Sequence, residues 1–445
     1  MTTQPSFTQL VTQVLMIADR PLTVAEIIAR VEMIRPVRTR NPQATIRGAI
    51  SSIRQATTLG GRPARYTWWP RHLANSAFRQ PLADSDLEKG TLVLGREAWL
   101  VFWTDFYDSS SRSRGEMTLA LDGGPVLQTR IQHLVHMQPI WGLSSTPALA
   151  DWYRHQGAVP EDDVIVQVLN VEAHRYALSL ARRAERDEEA VAARNRSLAD
   201  IAEKVLRTGR MDMPESYLIP RLIAHGAYHD PLPPDPWKEV LRADLRFVLG
   251  KYSIDLAEKV VDYLEREMEV LPNFDGAPRP RGDRRKARSD EARQAWGEYL
   301  FDRGMDHRWA DWSWAAEAYY REALRLDSGH ADAWVHLGNV RFDEGRLTEA
   351  LAHYERGQAA AEARVIGDPS RYPGVFWGDL RSRPFMRALH GRGLCLWRLG
   401  WVDQARQVFA WMLELNPNDN QGARFLLHDI EEGLSWEEST ARGTN

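Results

Sequence analysis

Apolar residues recur with helical spacing at the start of the chain. Phe7, Leu10, Val11, Val14 and Leu15 share one face of a helix predicted over residues 7–18, and Pro21 then breaks the chain. Thr23-Val-Ala-Glu26 is a capping box: hydroxyl and carboxylate each satisfy a free backbone N–H and open a second helix through about Met33. Asn41-Pro42 starts a third, with Asn as its cap and Pro at its first position. Ile46, Ile50 and Ile53 form its apolar face, and Gln43, Arg47, Ser51 and Arg54 the opposite one. Leu59-Gly-Gly-Arg-Pro-Ala-Arg65 reads as a tight turn before a strand at residues 66–69.

Between residues 71 and 185 the pattern changes to short strands. Apolar runs at 91–94 and 98–103 read as strands, and those at 117–121 and 126–131 flank Asp122-Gly-Gly-Pro125, a hairpin signal. A short helix is predicted at 147–156, then strands at 164–171 and 176–180. Many strands and few helices predict a small barrel or sandwich. The helix followed by Ala158-Val-Pro-Glu-Asp-Asp-Val-Ile-Val is similar to the DNA-binding pseudobarrels. That likeness implies Arg112 and Arg114, in the serine-rich loop, as contacts; a purely structural barrel is the other reading. Residues 186–290 read as a helical connector: a long charged helix from about Leu178 to Leu206, helices at 237–252 and 254–269, and flexible linkers near 231–236 and 270–290. Proline interrupts the first linker, and arginine crowds residues 278–288 of the second.

The last third, residues 291–440, repeats. Trp334, Leu337-Gly338, Gly345, Ala350, Tyr354 and Gly357 stand in an order that Ala316, Tyr320 and Ala323 match 34 places earlier. Gly393, Gly400, Ala405, Phe409 and Pro417 match it again, with departures at Leu389 and Arg392, and residues 421–432 look like a closing half-repeat. This pattern resembles the tetratricopeptide repeat, a helix pair of about 34 residues. Small residues let paired helices approach, aromatics fill the gap between units, and no unit buries its own face alone. The resemblance implies a groove for a partner protein. If first-helix residues line it, Val335, Asn339, His390 and Trp397 are candidates. Phe342 and Leu394 belong to the same series but read better as internal packing. The insertion 361–384 carries Tyr372, Phe376 and Trp377 and is a candidate cover for that groove.

Composition narrows the class. The 445 residues are 43% apolar and 27% charged, proportions of a globular protein. No apolar run approaches the roughly 18 residues of a membrane helix. The start MTTQPSFTQL has no basic and apolar signal pattern, so a cytoplasmic location is expected. Cys395 stands alone, which excludes an intramolecular disulfide and a cysteine-based zinc or iron–sulfur centre. Charge is unevenly placed. Nine arginines against three acids give residues 1–70 a balance of +6, so a total of −4 leaves −10 for the remainder.

Three helices with a basic third, a turn and a strand follow the order of a winged helix, whose third helix lies in the major groove. Gln43, Arg47, Ser51 and Arg54 would reach base edges or phosphates. Arg62 and Arg65 would sit in the wing, and Arg38 and Arg40 would grip phosphate beside the helix N-terminus. The residues Phe7, Val14-Leu15, Arg20-Pro21-Leu22-Thr23, Glu26-Ile27, Pro42, Thr45-Ile46 and Arg65-Tyr66 resemble the HARE-type helix-turn-helix domain, over about residues 5–69. That resemblance implies a role in transcription or on DNA.

Enzyme chemistry is not expected. The chain has no P-loop lysine motif, G-x-S-x-G or dinucleotide fingerprint. His225 and His229 are four apart, but Gly226 stands where a zinc protease needs glutamate. His133 and His136 lack a third ligand, and Asp105, Asp108 and Glu116 form no nuclease pattern. No metal and no cofactor are expected. The fold expectation is a multidomain α+β chain with an N-terminal winged helix, a β-rich small barrel or sandwich, and a C-terminal all-α tetratricopeptide-like solenoid. The functional expectation is a DNA-associated regulator or adaptor, its arginines on double-stranded DNA and its solenoid on a protein partner, with no membrane. The alternative is a protein-interaction scaffold, such as one associated with RNA polymerase, without DNA contact.

Overall fold

A computed structural model describes residues 4–102, 116–134, 141–209, 212–250, 253–267, 278–309, 312–367 and 376–442. Asp105, Asp108, Arg112, Arg114, His136 and Tyr372 lie outside the described residues. The chain forms two compact units, residues 1–244 with 251–254, and residues 245–250 with 255–445. The architecture is mixed α+β, with several small sheets and a C-terminal helical stack.

The first unit opens with α1 (Phe7–Ile17), β1 (Leu22–Thr23), α2 (Val24–Glu32), α3 (Pro42–Ser51), β2 (Ala56–Gly60) and β3 (Arg65–Trp68). The helix starts follow from their caps. The Thr23 hydroxyl accepts the Glu26 N–H at 3.3 Å, and the Glu26 carboxylate accepts the Thr23 N–H at 2.7 Å. The hydrogen bond from Arg20, with those from Thr23, pulls the Glu26 carboxyl down to about 2. Asn41 Oδ1 accepts the Ala44 N–H and caps α3. β3 pairs antiparallel with both β1 and β2, and Leu10, Val14, Leu22, Ile27, Ile46 and Ile50 close the core beneath.

The middle of this unit contains β4 (Ala77–Pro81), α4 (Asp84–Lys89), β5 (Leu92–Val93), α5 (Arg96–Phe102), β6 (Met117–Leu121), β7 (Val126–Thr129), β8 (Ile131–His133), β9 (Trp141–Leu143), α6 (Pro147–Gln156), β10 (Asp163–Asn170) and β11 (Arg175–Ala181). One sheet runs β4-β10-β11-β6-β7, with β11 parallel to β6 and the other pairs antiparallel; β5-β9-β8 form another. The larger sheet ends at β4 and β7, so its described strands do not close into a barrel. The run at 98–103, expected as a strand, is helical through Phe102. Ala98, Leu100, Val101 and Phe102 are all buried, and periodicity cannot tell a wholly buried helix from a buried strand. α4 was not expected; its capping carboxylate and the left-handed Gly90 bound it.

The chain continues with α7 (Glu188–Thr208), β12 (Met213–Pro214), α8 (Glu215–Ala224), α9 (Trp237–Ala243), β13 (Phe247–Leu249) and β14 (Ser253–Leu256). This repeats the opening order of helix, two-residue strand, two helices and two strands. Met213 and Pro214 pair antiparallel with Ile254 and Ser253, as Leu22 and Thr23 pair with Tyr66 and Arg65. Residues 231–236, expected as a linker, are anchored: Asp235 accepts Arg186 at 2.7 Å and Asn195 at 2.8 Å. Arg79, buried on β4, pairs with Asp163 and lies 3.7 Å from Asp235.

The second unit is the stack: α10 (Ala257–Glu267), α11 (Asp290–Trp309), α12 (Ser313–Leu326), α13 (Ala331–Asp343), α14 (Leu347–Ala361), α15 (Arg383–Arg398), α16 (Val402–Leu415), α17 (Ala423–Glu431) and α18 (Trp436–Arg442). The described part of the second expected linker is likewise fixed, because buried Arg284 donates to Asp262 at 2.6 Å and to Glu322 at 3.1 Å. In three helix pairs a glycine of the first helix faces a ring of the second. A Cβ added at Gly304, Gly338 or Gly393 would stand 2.6, 2.7 or 2.7 Å from Tyr320, Tyr354 or Phe409.

Two stability outcomes follow. Gly338→Ala drives its methyl into the buried Tyr354 ring and costs about 1–3 kcal/mol. Gly48→Ala, with open space at its Cβ inside α3, gains up to about 1 kcal/mol; denaturant titration of the full chain reads both. The second outcome concerns pH. Burial lifts the Glu97 carboxyl from its usual 4.5 to about 7, and its Oε1 has no hydrogen-bond partner. The folded state therefore keeps a proton that the unfolded state releases between those values. This contribution to stability falls as pH rises through that window. Glu97→Gln is expected to change little near pH 4 and to stabilise the chain by about 2–4 kcal/mol at pH 8.

Candidate functional site

All eight basic-face residues named from the N-terminal sequence are exposed. Gln43, Arg47, Ser51 and Arg54 project from α3 and the residues after it, opposite the buried Ile46 and Ile50. Arg38 and Arg40 precede the helix. Arg62 stands at the turn after Gly60 and Gly61, whose φ values of +74° and +91° favour glycine, and Arg65 begins β3. Among the described residues no carboxylate lies within ion-pair distance of Arg38, Arg40, Arg47, Arg62 or Arg65. The arginines are thus gathered on open surface and are not consumed by packing.

Two clefts adjoin this surface. One, of about 380 Å³, lies between the end of α3, β2 and α8, and includes Ser51, Arg54, Tyr66, Tyr217 and Arg221. The other, of about 850 Å³, lies between the β2–β3 turn and α7–α8, and includes Arg62, Lys204, Arg207, Arg221 and His225. Sequence reasoning missed Lys204, Arg207 and Arg221. No local spacing links them to the N-terminal arginines, because the fold brings them from more than a hundred residues away. Among the described residues no group of three or more His, Cys, Asp or Glu could hold a metal ion. His229 sits against the His72 backbone oxygen and His225 lines the cleft, so the pair does not act as one site.

The solenoid candidates fare differently. Val335 is 2% exposed and Trp397 3%, so neither offers an open groove surface. Val335 belongs to the buried core of the stack. Trp397 is covered by the chain itself: its indole N–H donates to the Leu434 oxygen at 3.1 Å, and its ring meets Trp436 edge-on at 5.8 Å. Trp436 also meets Phe342 at 5.8 Å, and the Arg398 guanidinium lies over both Phe342 and Trp436. Asn339 is half-buried and accepts the Tyr354 hydroxyl at 2.7 Å. His390 is half-buried with its ring toward Phe409, and burial lowers its pKa. Phe342 and Leu394 pack against the core. Over its described residues the insertion packs against α15. Phe376 is buried against Phe385, and Trp377 carries the Arg383 guanidinium.

Aromatic surface remains elsewhere on the stack. Trp309 is 82% exposed, Phe425 74%, Trp312 49% and Trp401 48%. Among the described residues no helix is long and apolar enough to cross a membrane.

No family model matches the chain. Over 120 aligned residues it is 29% identical to Protein CTR9 homolog from Arabidopsis thaliana, an alignment covering 24% of this chain and 11% of that protein. The chain thus spans about a tenth of the length of the relative it matches. This distant likeness and the helical C-terminal region fit tetratricopeptide-like repeats.

Trp436→Ala is expected to uncover Trp397. Loss of two aromatic contacts and a cation–π contact from a half-buried ring costs about 1–3 kcal/mol. Tryptophan emission should shift to longer wavelength, and acrylamide should quench it more readily.

Proposed function

We propose that this protein is a transcription-associated protein-interaction scaffold and not an enzyme. The observation that carries this reading is the exposed aromatic surface of the stack, with Trp309 and Trp312 at the turn between α11 and α12. Exposed tryptophans are costly to leave in water and are enriched where proteins dock. Buried charges of the same stack are drawn into internal pairs, as Glu317 is with Arg321 and Arg341, so these serve packing. The likeness to the CTR9 homolog favours a transcription-associated setting. Docking uses the exposed aromatics, since Val335 and Trp397 are enclosed.

A second reading rests on a different observation. Five exposed arginines of the N-terminal module have no carboxylate partner among the described residues, and the module's element order is that of a winged helix. In this reading the module has the HARE-type fold and touches double-stranded DNA, chiefly through phosphate contacts that charge alone supports.

Affinity capture with the full chain, with and without nuclease, separates the two. The scaffold reading expects partners that survive nuclease and are lost in the Trp309→Ala, Trp312→Ala double variant. Loss of every partner on nuclease treatment overturns it. The DNA reading expects a low-salt mobility shift of a duplex that weakens steeply with salt and again in Arg47→Ala, Arg54→Ala. Absence of any shift at low salt overturns that reading.

A further inference from the structure

We propose that the two clefts between the β2–β3 hairpin and α7–α8 form one channel that binds a single strand of nucleic acid. This does not rest on the scaffold reading, since it uses none of the aromatics of the stack; it shares Arg54 and Arg62 with the DNA reading but needs no duplex on α3.

The clefts share Thr58, Tyr66 and Arg221 in their linings, so they adjoin. Along the channel stand Arg54, Arg221, Arg62, Lys204 and Arg207; the lining of both parts contains no acidic residue, and beside it Glu203 accepts Arg207 at 2.6 Å. Arg221 is the decisive group. It is half-buried on α8, and its described contact is a weak one, from Nη1 to the Met213 sulfur at 3.2 Å. Burial lowers its pKa, a sign that no anion offsets the cost of holding its charge there. A guanidinium placed this way is completed by a phosphate, whose oxygens match its planar fork. Partial desolvation and the neighbouring Arg221 and Lys204 charges also lower the pKa of His225, so the channel is electropositive through both clefts.

Two tyrosines set the class of anion. Tyr66 and Tyr217 line the first cleft beside Arg54 and Arg221, and Tyr217 is 59% exposed although it makes no packing use of that area. Cations that follow a backbone, interleaved with rings on which bases stack, are the pattern of single-strand binding. A duplex keeps its base faces within its own stack and cannot use these rings. An acidic peptide satisfies the charges but has no flat face to offer the tyrosines.

The test is a fluorescence-anisotropy titration of the full chain with labelled oligo-dT and oligo-rU strands of about fifteen nucleotides. A duplex, an abasic strand of equal length and polyglutamate serve as competitors. Either labelled strand should bind more tightly than all three competitors, and the tighter of the two identifies the sugar. Arg221→Ala and Lys204→Glu should each weaken binding about tenfold or more, and Tyr217→Ala about fivefold or more. Lys204 and Tyr217 are exposed, so their variants keep the fold even if Arg221→Ala does not. Equal binding of duplex or abasic strand, displacement by polyglutamate, or unchanged affinity in Lys204→Glu and Tyr217→Ala overturns the proposal. Any of those results leaves the scaffold reading intact, because its test reads partner capture through Trp309 and Trp312.

Discussion

Close approach of paired helices is the constraint on which the C-terminal stack depends. A tyrosine or phenylalanine ring can be buried between two helices only if the facing position has no side chain. Gly304, Gly338 and Gly393 supply that space to Tyr320, Tyr354 and Phe409, each sixteen residues later in the chain. Gly391 opens the other side of Tyr354, so one ring joins two successive helix pairs. Interhelical distance, ring burial and the junction between pairs therefore rest on one backbone feature. Histidine joins the same packing as a neutral aromatic. His307 lies 5.0 Å from the Tyr319 ring and 5.9 Å from that of Trp312, and burial pushes its pKa down to about 4, which keeps it uncharged at neutral pH.

Charge inside the stack obeys a different rule. Buried ions are tolerated when several opposite groups converge on them, and they specify register more than they add stability. Glu317 is enclosed by Arg321 and Arg341, from its own helix and the next, and its pKa stays below the usual carboxylate range despite complete burial. Arg284 ties the arginine-rich approach segment to Asp262 of α10 and Glu322 of α12. A stretch rich in proline, glycine and arginine is thereby given a fixed course. In the first unit, Arg79, Arg186, Asp163 and Asp235 fix the proline-rich segment in the same way.

Those two segments show where sequence reasoning stops. Breakers and charge crowding mark a lack of regular structure, and they look the same whether the segment is loose or pinned by distant carboxylates. Local signals were read well: the capping residues Thr23 and Asn41, the Asp122–Pro125 turn, and the small and aromatic positions of the repeat all act within a few turns of chain. The α5 run was misread because the buried apolar residues Ala98, Leu100, Val101 and Phe102 leave no polar period to reveal a helix. The enclosure of Val335 and Trp397 was hidden for a related reason. Its place in the first helix of a pair made Trp397 a groove candidate, but only the fold shows that Leu434 and Trp436 return to cover it. The recurrence of the opening element order at α7–β14 was also hidden, since its two-residue strand and short helices share little residue pattern with the first copy.

The same contrast separates the two units chemically. In the stack, the buried arginines meet carboxylates, and a few large aromatics such as Trp309 and Phe425 stand exposed among charged side chains. In the first unit the order is reversed: Arg79 and Arg186 are absorbed into a network, while Arg38, Arg40, Arg47, Arg62 and Arg65 stay exposed without a carboxylate partner. Surface arginine carries little folding energy of its own, so its position is set by whatever it meets. Arg221 sharpens this point, because a half-buried cation left beside sulfur costs the fold free energy that a surface site would not. A fold that keeps such a group at the junction of two clefts, and keeps acids out of their lining, has a charge arrangement that is complete only with an anion bound.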